Sequence, residues 1–148
     1  MNKMTIKDAD LGQQRVLVRV DFNVPVANGE VTDTTRIRAA LPTLTHILAQ
    51  KPKSVVLMSH LGRPKGKVSE EFSLSPVAPV LSELLGTDVA FASECVGPTA
   101  EKALDALPEG GVLLVENTRF HAGEKKNDPD FAKQLATLGD VFVNDAFG

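Results

Sequence analysis

Tryptophan and tyrosine are absent from the 148-residue sequence, and Cys95 is its one cysteine. A single thiol can build neither a disulfide framework nor a cysteine-based metal site, and it fits a reducing compartment. Cys95 reads as a small buried or loop residue, since no sequence neighbour would activate it as a nucleophile. Basic residues number 16 against 19 acidic ones. A nucleic-acid binder needs a net basic face and usually stacking rings, so that class is disfavoured and any basic site must be local. Long hydrophobic runs are missing too. No stretch approaches the about 20 apolar residues that a bilayer requires, and Met1 to Asp10 lacks the apolar centre of a secretory signal. A cytoplasmic protein without membrane contact is expected.

What is there suits a soluble α/β domain. The apolar fraction of 43% gives one domain of this length a real core. Val16 to Val20 is β-branched and almost wholly apolar, as in a strand covered on both faces of a parallel sheet. Pro25 cannot continue a central ladder, so this strand should end near Asp21. Asn28-Gly29 signals a turn, and Thr32-Asp33-Thr34-Thr35 offers caps to a helix striped by Ile37, Leu41, Leu44 and Leu48, widened by Ala40 and Ile47. Arg36 and Arg38 fall at its start, where cations oppose the helix dipole, so at least one of them needs another reason to be there.

The pattern then repeats. Ser54 to Ser59 reads as a second buried strand, and Ser75-Pro76 opens a helix through Val77, Val80, Leu81 and Leu84 to Gly86. Asp88 to Ala92 is a weaker strand, and Gly97-Pro98 opens a helix with Ala100, Ala103, Leu104 and Leu107 inside. Gly111 to Val115 is the next strand. Asp128-Pro129 starts a helix with Phe131, Leu135 and Leu138, and Val141 to Val143 closes the chain as a strand. Alternating strands and helices of these lengths predict a three-layer Rossmann-like domain, a parallel sheet with helices on both faces. A strand followed directly by a terminus lacks its next helix, which suggests a piece of a longer protein.

Polar groups follow the strand ends: Asp21 and Asn23, His60 and Arg63, Glu116, Asn117 and Arg119, then Asn144 and Asp145. Parallel strands put their carboxyl ends on one edge, so these residues can converge on one crevice. Arginine pairs with phosphate or carboxylate through a planar fork. Arg36, Arg63 and Arg119 around one crevice therefore point to a small ligand with more than one negative charge, and Asp21 and Asn23 to a hydroxyl on it. Each has a plainer alternative: Asp21 and Asn23 as an Asx-turn, the arginines as solvated or ion-paired side chains, His60 as a loop anchor. His46 reads as structural and His121 is left open. Gly62 to Val68 only imitates a nucleotide-binding P-loop, since its glycines are one residue too close and Val68 replaces the metal-binding hydroxyl.

The motifs Arg19 to Pro25, Thr35 to Ala39, Ser59 to Pro64, Glu116 to Phe120 and Asn144 to Gly148 closely resemble those of phosphoglycerate kinases, in the same order along essentially the whole chain. The resemblance implies that residues 1–148 form the N-terminal, 3-phosphoglycerate-binding domain, incomplete at its end, of a monomeric glycolytic enzyme. That enzyme would move a phosphoryl group reversibly between 1,3-bisphosphoglycerate and ADP. It implies that Asp21, Phe22, Asn23, Arg36, His60, Leu61, Gly62, Arg63 and Arg119 line the substrate site. Asp21 and Asn23 would hold the hydroxyl and carboxyl end, His60, Arg63 and Arg119 would hold the 3-phosphate, and Arg36 would be the catalytic arginine. Mg-ATP or Mg-ADP would bind a C-terminal domain that the sequence does not contain. A further family arginine beyond Gly148 is also absent, so the chain alone is expected to be inactive. The competing reading is a catalytically inactive anion-binding module.

Overall fold

The computed structural model describes residues 13–27, 30–59, 73–94, 97–116 and 137–144. Its centre is a five-stranded sheet in the order β5-β6-β4-β1-β7. The strands are β1 (Arg15–Arg19), β4 (Ser54–Met58), β5 (Val89–Ala92), β6 (Gly111–Val115) and β7 (Val141–Asn144), and every pairing is parallel. Strand alternation divides the side chains between two cores. Val16, Val18, Val55, Leu57, Val112 and Leu114 pack with helices α1 (Thr35–Ala49) and α2 (Val77–Leu85). Leu17, Val56, Met58, Leu113 and Val115 turn the other way, toward Ala100 of α3 (Pro98–Asp105) and toward Leu138. The expected three layers, with helices on both faces, are present.

Local chemistry sets the element ends. In α1 the fully buried stripe is Ile37, Ala40, Leu44 and Ile47, with Leu41 and Leu48 at its margins rather than its centre. Pro42 lies inside this helix. It has no N–H to donate to Arg38 one turn earlier, a defect the exposed face can tolerate because water reaches the freed carbonyl. Pro76 is the N-cap of α2, so the helix begins one residue later than Ser75-Pro76 suggests. Gly86 ends it in the left-handed region, at φ 75°.

One element was not legible as a strand pair. Val26–Ala27 (β2) and Glu30–Val31 (β3) form a small antiparallel ribbon around the Asn28-Gly29 turn signal. Each strand is only two residues long, too short to show alternation. The Thr32 N–H closes the ribbon onto the Pro25 carbonyl at 2.9 Å. The helix expected from Asp128 lies outside the described residues except at its end, where Leu138 is fully buried. Gly139 then runs hard against β1: a Cβ there would meet Leu17 Cβ at 2.7 Å. Among the described residues no helix is long and apolar enough to cross a membrane.

Candidate active site

Pairing between β1 and β4 continues past the strand ends, with the Val20 N–H donating to the Met58 carbonyl at 3.0 Å. The chain then turns. The Asn23 N–H donates to Asp21 Oδ1 at 3.2 Å, which is the Asx-turn the sequence allows. The Val24 N–H donates to the Phe22 carbonyl at 2.8 Å, tightening the same turn.

Arg36 joins this turn from the first turn of α1. Its Nη1 donates to Asp21 Oδ1 at 3.2 Å and to the Asn23 carbonyl at 3.0 Å. Here is the reason for a cation at a helix start. Arg36 is half exposed, with 52% of its side chain open to solvent, and its Nε and Nη2 have no partner among the described residues. Among the described residues, nothing competes with an anion for those donors. Arg38 does something different: its Nε donates to Thr34 Oγ1 at 2.9 Å. Thr34 is the N-cap by position but makes no side-chain cap bond. Asp33 takes that role instead, accepting from the Thr35 N–H at 2.8 Å and from Thr35 Oγ1 at 2.6 Å. These bonds from Thr35 hold the Asp33 carboxyl below the usual carboxylate range, and its negative charge suits the helix N-terminus.

Of the residues expected to line a ligand site, the fold brings Asp21, Asn23 and Arg36 together at the carboxyl edge of the sheet. Phe22 belongs to the same turn, but its ring is fully buried in the core, so only its backbone can face a ligand. His60, Leu61, Gly62, Arg63 and Arg119 lie outside the described residues, as do Asn117 and Asp145. Asn144 ends β7 at the same edge, paired with Arg19 of β1.

Two side chains at this edge acquire roles that sequence alone did not assign. Ser59, only 2% exposed, accepts the Phe22 N–H on its Oγ at 2.9 Å. Glu116, 8% exposed, accepts from the Leu74 N–H at 2.8 Å and from Ser73 Oγ at 2.6 Å. Glu116 thus ties the end of β6 to the entry of α2. The sole hint in sequence was a polar residue directly after a buried apolar run.

A separate cleft of about 710 Å³ opens at the opposite, amino edge of the sheet, beside Arg15, Lys53, Ser54 and Asp105. Its arginine is already committed, bonded to both carboxylate oxygens of Asp140 and to the Thr137 carbonyl. The carboxyl edge, with its available guanidinium, is the better candidate for anion chemistry.

The sequence pattern of the family described as phosphoglycerate kinase matches residues 6–148. The chain belongs to the phosphoglycerate kinase family. A phosphoglycerate kinase of Moorella thermoacetica is 62% identical over all 148 residues, which span 37% of that relative's length. Two solved structures share the fold at a TM-score of 0.83 each: phosphoglycerate kinase from Coxiella burnetii, at 41% identity, and that from Pyrococcus horikoshii OT3, at 32%. Each comparison covers 97% of this chain, and 35% and 36% of the respective relatives. The chain therefore spans little more than a third of the length of the phosphoglycerate kinases it matches.

Proposed function

We propose that residues 1–148 are the 3-phosphoglycerate-binding N-terminal lobe of a phosphoglycerate kinase. The observation that carries this reading is the meeting of Asp21, Asn23 and a half-exposed Arg36 at the carboxyl edge of the sheet. The transfer moves the phosphoryl group of the acyl phosphate in 1,3-bisphosphoglycerate to the terminal phosphate oxygen of ADP. The products are ATP and the carboxylate of 3-phosphoglycerate. Such a step needs positioning and charge stabilisation rather than a covalent intermediate.

In this reading Asp21 and Asn23 hold the hydroxyl and carboxyl end of the substrate, and the backbone of Phe22 lies beside it. Arg36 turns its available donors toward the transferring phosphoryl group. His60, Leu61, Gly62, Arg63 and Arg119 complete the site around the 3-phosphate. The nucleotide and its magnesium are held by a second lobe outside this sequence, and the working enzyme is a cytoplasmic monomer.

Titrating 3-phosphoglycerate into the chain while following amide chemical shifts at two salt concentrations tests the proposal. Saturable shifts at Asp21, Asn23 and Arg36 that weaken with added salt are expected, because exposed charges are screened. A folded chain without shifts at those residues would mean that the site forms only with the rest of the enzyme. The chain alone is expected to show no turnover. A chimera in which it replaces the matched segment of the Moorella thermoacetica relative is expected to be active, and an inactive chimera would overturn the proposal.

A further inference from the structure

We infer that Ser59 is a positioning residue for substrate binding, acting through the Asp21 to Asn23 turn; this rests on the function proposed above. Backbone pairing between β1 and β4 reaches Val20 and Met58. One step further along, the acceptor for the Phe22 N–H is a side chain, Ser59 Oγ at 2.9 Å. Both partners are almost wholly buried, Phe22 at 0% and Ser59 at 2% exposure, so water is poorly placed to substitute.

The consequence travels through named bonds. The carbonyl of Phe22 accepts the Val24 N–H at 2.8 Å, and its ring is locked in the core. With its N–H fixed on Ser59, the peptide plane between Asp21 and Phe22 is set, and with it the direction of the Asp21 side chain. Asp21 Oδ1 in turn receives the Asn23 N–H and Arg36 Nη1. Ser59 therefore orients all three polar groups of the site without facing the ligand. A hydroxyl suits the place because it accepts this bond without extending the ladder, which lets the two strand ends diverge where the crevice opens.

The active chimera is the system for the test. Ser59→Ala is expected to raise KM for 3-phosphoglycerate about tenfold, as loss of one buried hydrogen bond warrants, while leaving KM for the nucleotide unchanged. Ser59→Thr, which keeps the hydroxyl, should restore most of the loss. Leu81→Ala, a core truncation in α2, is the stability control: it should lower the melting temperature without moving either KM. If Ser59→Ala does not fold, Ser59→Cys puts a weak acceptor in nearly the same volume and should show the same selective rise. A KM for 3-phosphoglycerate unchanged in the alanine or cysteine variant, or moved equally by Leu81→Ala, would overturn the inference while leaving the functional reading intact. An inactive unmutated chimera would instead overturn that reading, and this inference with it.

Discussion

Arg36 sits where a cation is locally unfavourable, and the structure shows what offsets the cost: Asp21 on one side and the Asn23 carbonyl on the other. Both contacts use Nη1, and in the function proposed above the remaining donors would meet charge that develops on a transferring group. Arg36→Ala in the active chimera should therefore lower kcat by about a hundredfold or more, with a much smaller change in KM. An unchanged kcat would remove Arg36 from the reaction. The Arg15 and Asp140 pair has a purely structural part, joining the starts of β1 and β7. Hydrogen bonding to Arg15 holds the Asp140 carboxyl below its usual range. A lowered folded value stabilises the fold above the unfolded value of about 4 and ceases to do so as pH falls through the folded value. Side-chain exposures of 34% and 44% limit the contribution to about 1 kcal/mol or less. Unfolding titrations should accordingly find Asp140→Asn less stable at neutral pH, with the difference shrinking below about pH 4.

Elements are joined by side chains as much as by the ladder. Glu116 holds the entry of α2 against the end of β6, receiving the Leu74 N–H and the Ser73 hydroxyl in a buried place. Glu116→Ala strands both donors and should cost about 2–3 kcal/mol in denaturant unfolding, with faster amide exchange at Leu74. Glu116→Gln keeps one acceptor oxygen and should cost less. Such links explain what was legible in the sequence and what was not. Buried strands and helix stripes could be read because periodicity is local: Val16 to Val20 and Ile37 to Ile47 declare their faces within one element. The convergence of Asp21, Asn23 and Arg36 was legible because a parallel sheet puts strand ends together whatever the details. Ser59 and Glu116 were opaque, since their partners lie 37 and 42 residues away and a hydroxyl or carboxylate after a strand has many possible uses. The β2 and β3 ribbon was missed because two-residue strands have no period. Pro42 shows the converse, a local rule overridden by the packing of the face opposite it.

At the scale of the whole molecule, the candidate site is made of pieces that only the folded sheet brings together. Asp21 and Asn23 follow β1, and Arg36 lies in the first turn of α1. A ligand that needs all of them binds the native state and not the unfolded chain. Binding must then raise stability by mass action, by about 2.7 kcal/mol at a free ligand concentration one hundred times Kd. Urea unfolding of the chain should show one cooperative transition whose midpoint rises with 3-phosphoglycerate at constant slope, since ligand changes stability and not the surface exposed. Glycerol, which has the hydroxyls but no charge, should leave the midpoint in place at equal concentration. Added salt should reduce the effect of 3-phosphoglycerate, because Arg36, the described cation of the candidate site, is half open to solvent. A midpoint that ignores millimolar 3-phosphoglycerate would mean that the anion site is not assembled by these strands and helices alone. The remainder of a full-length phosphoglycerate kinase would then be needed to form the site.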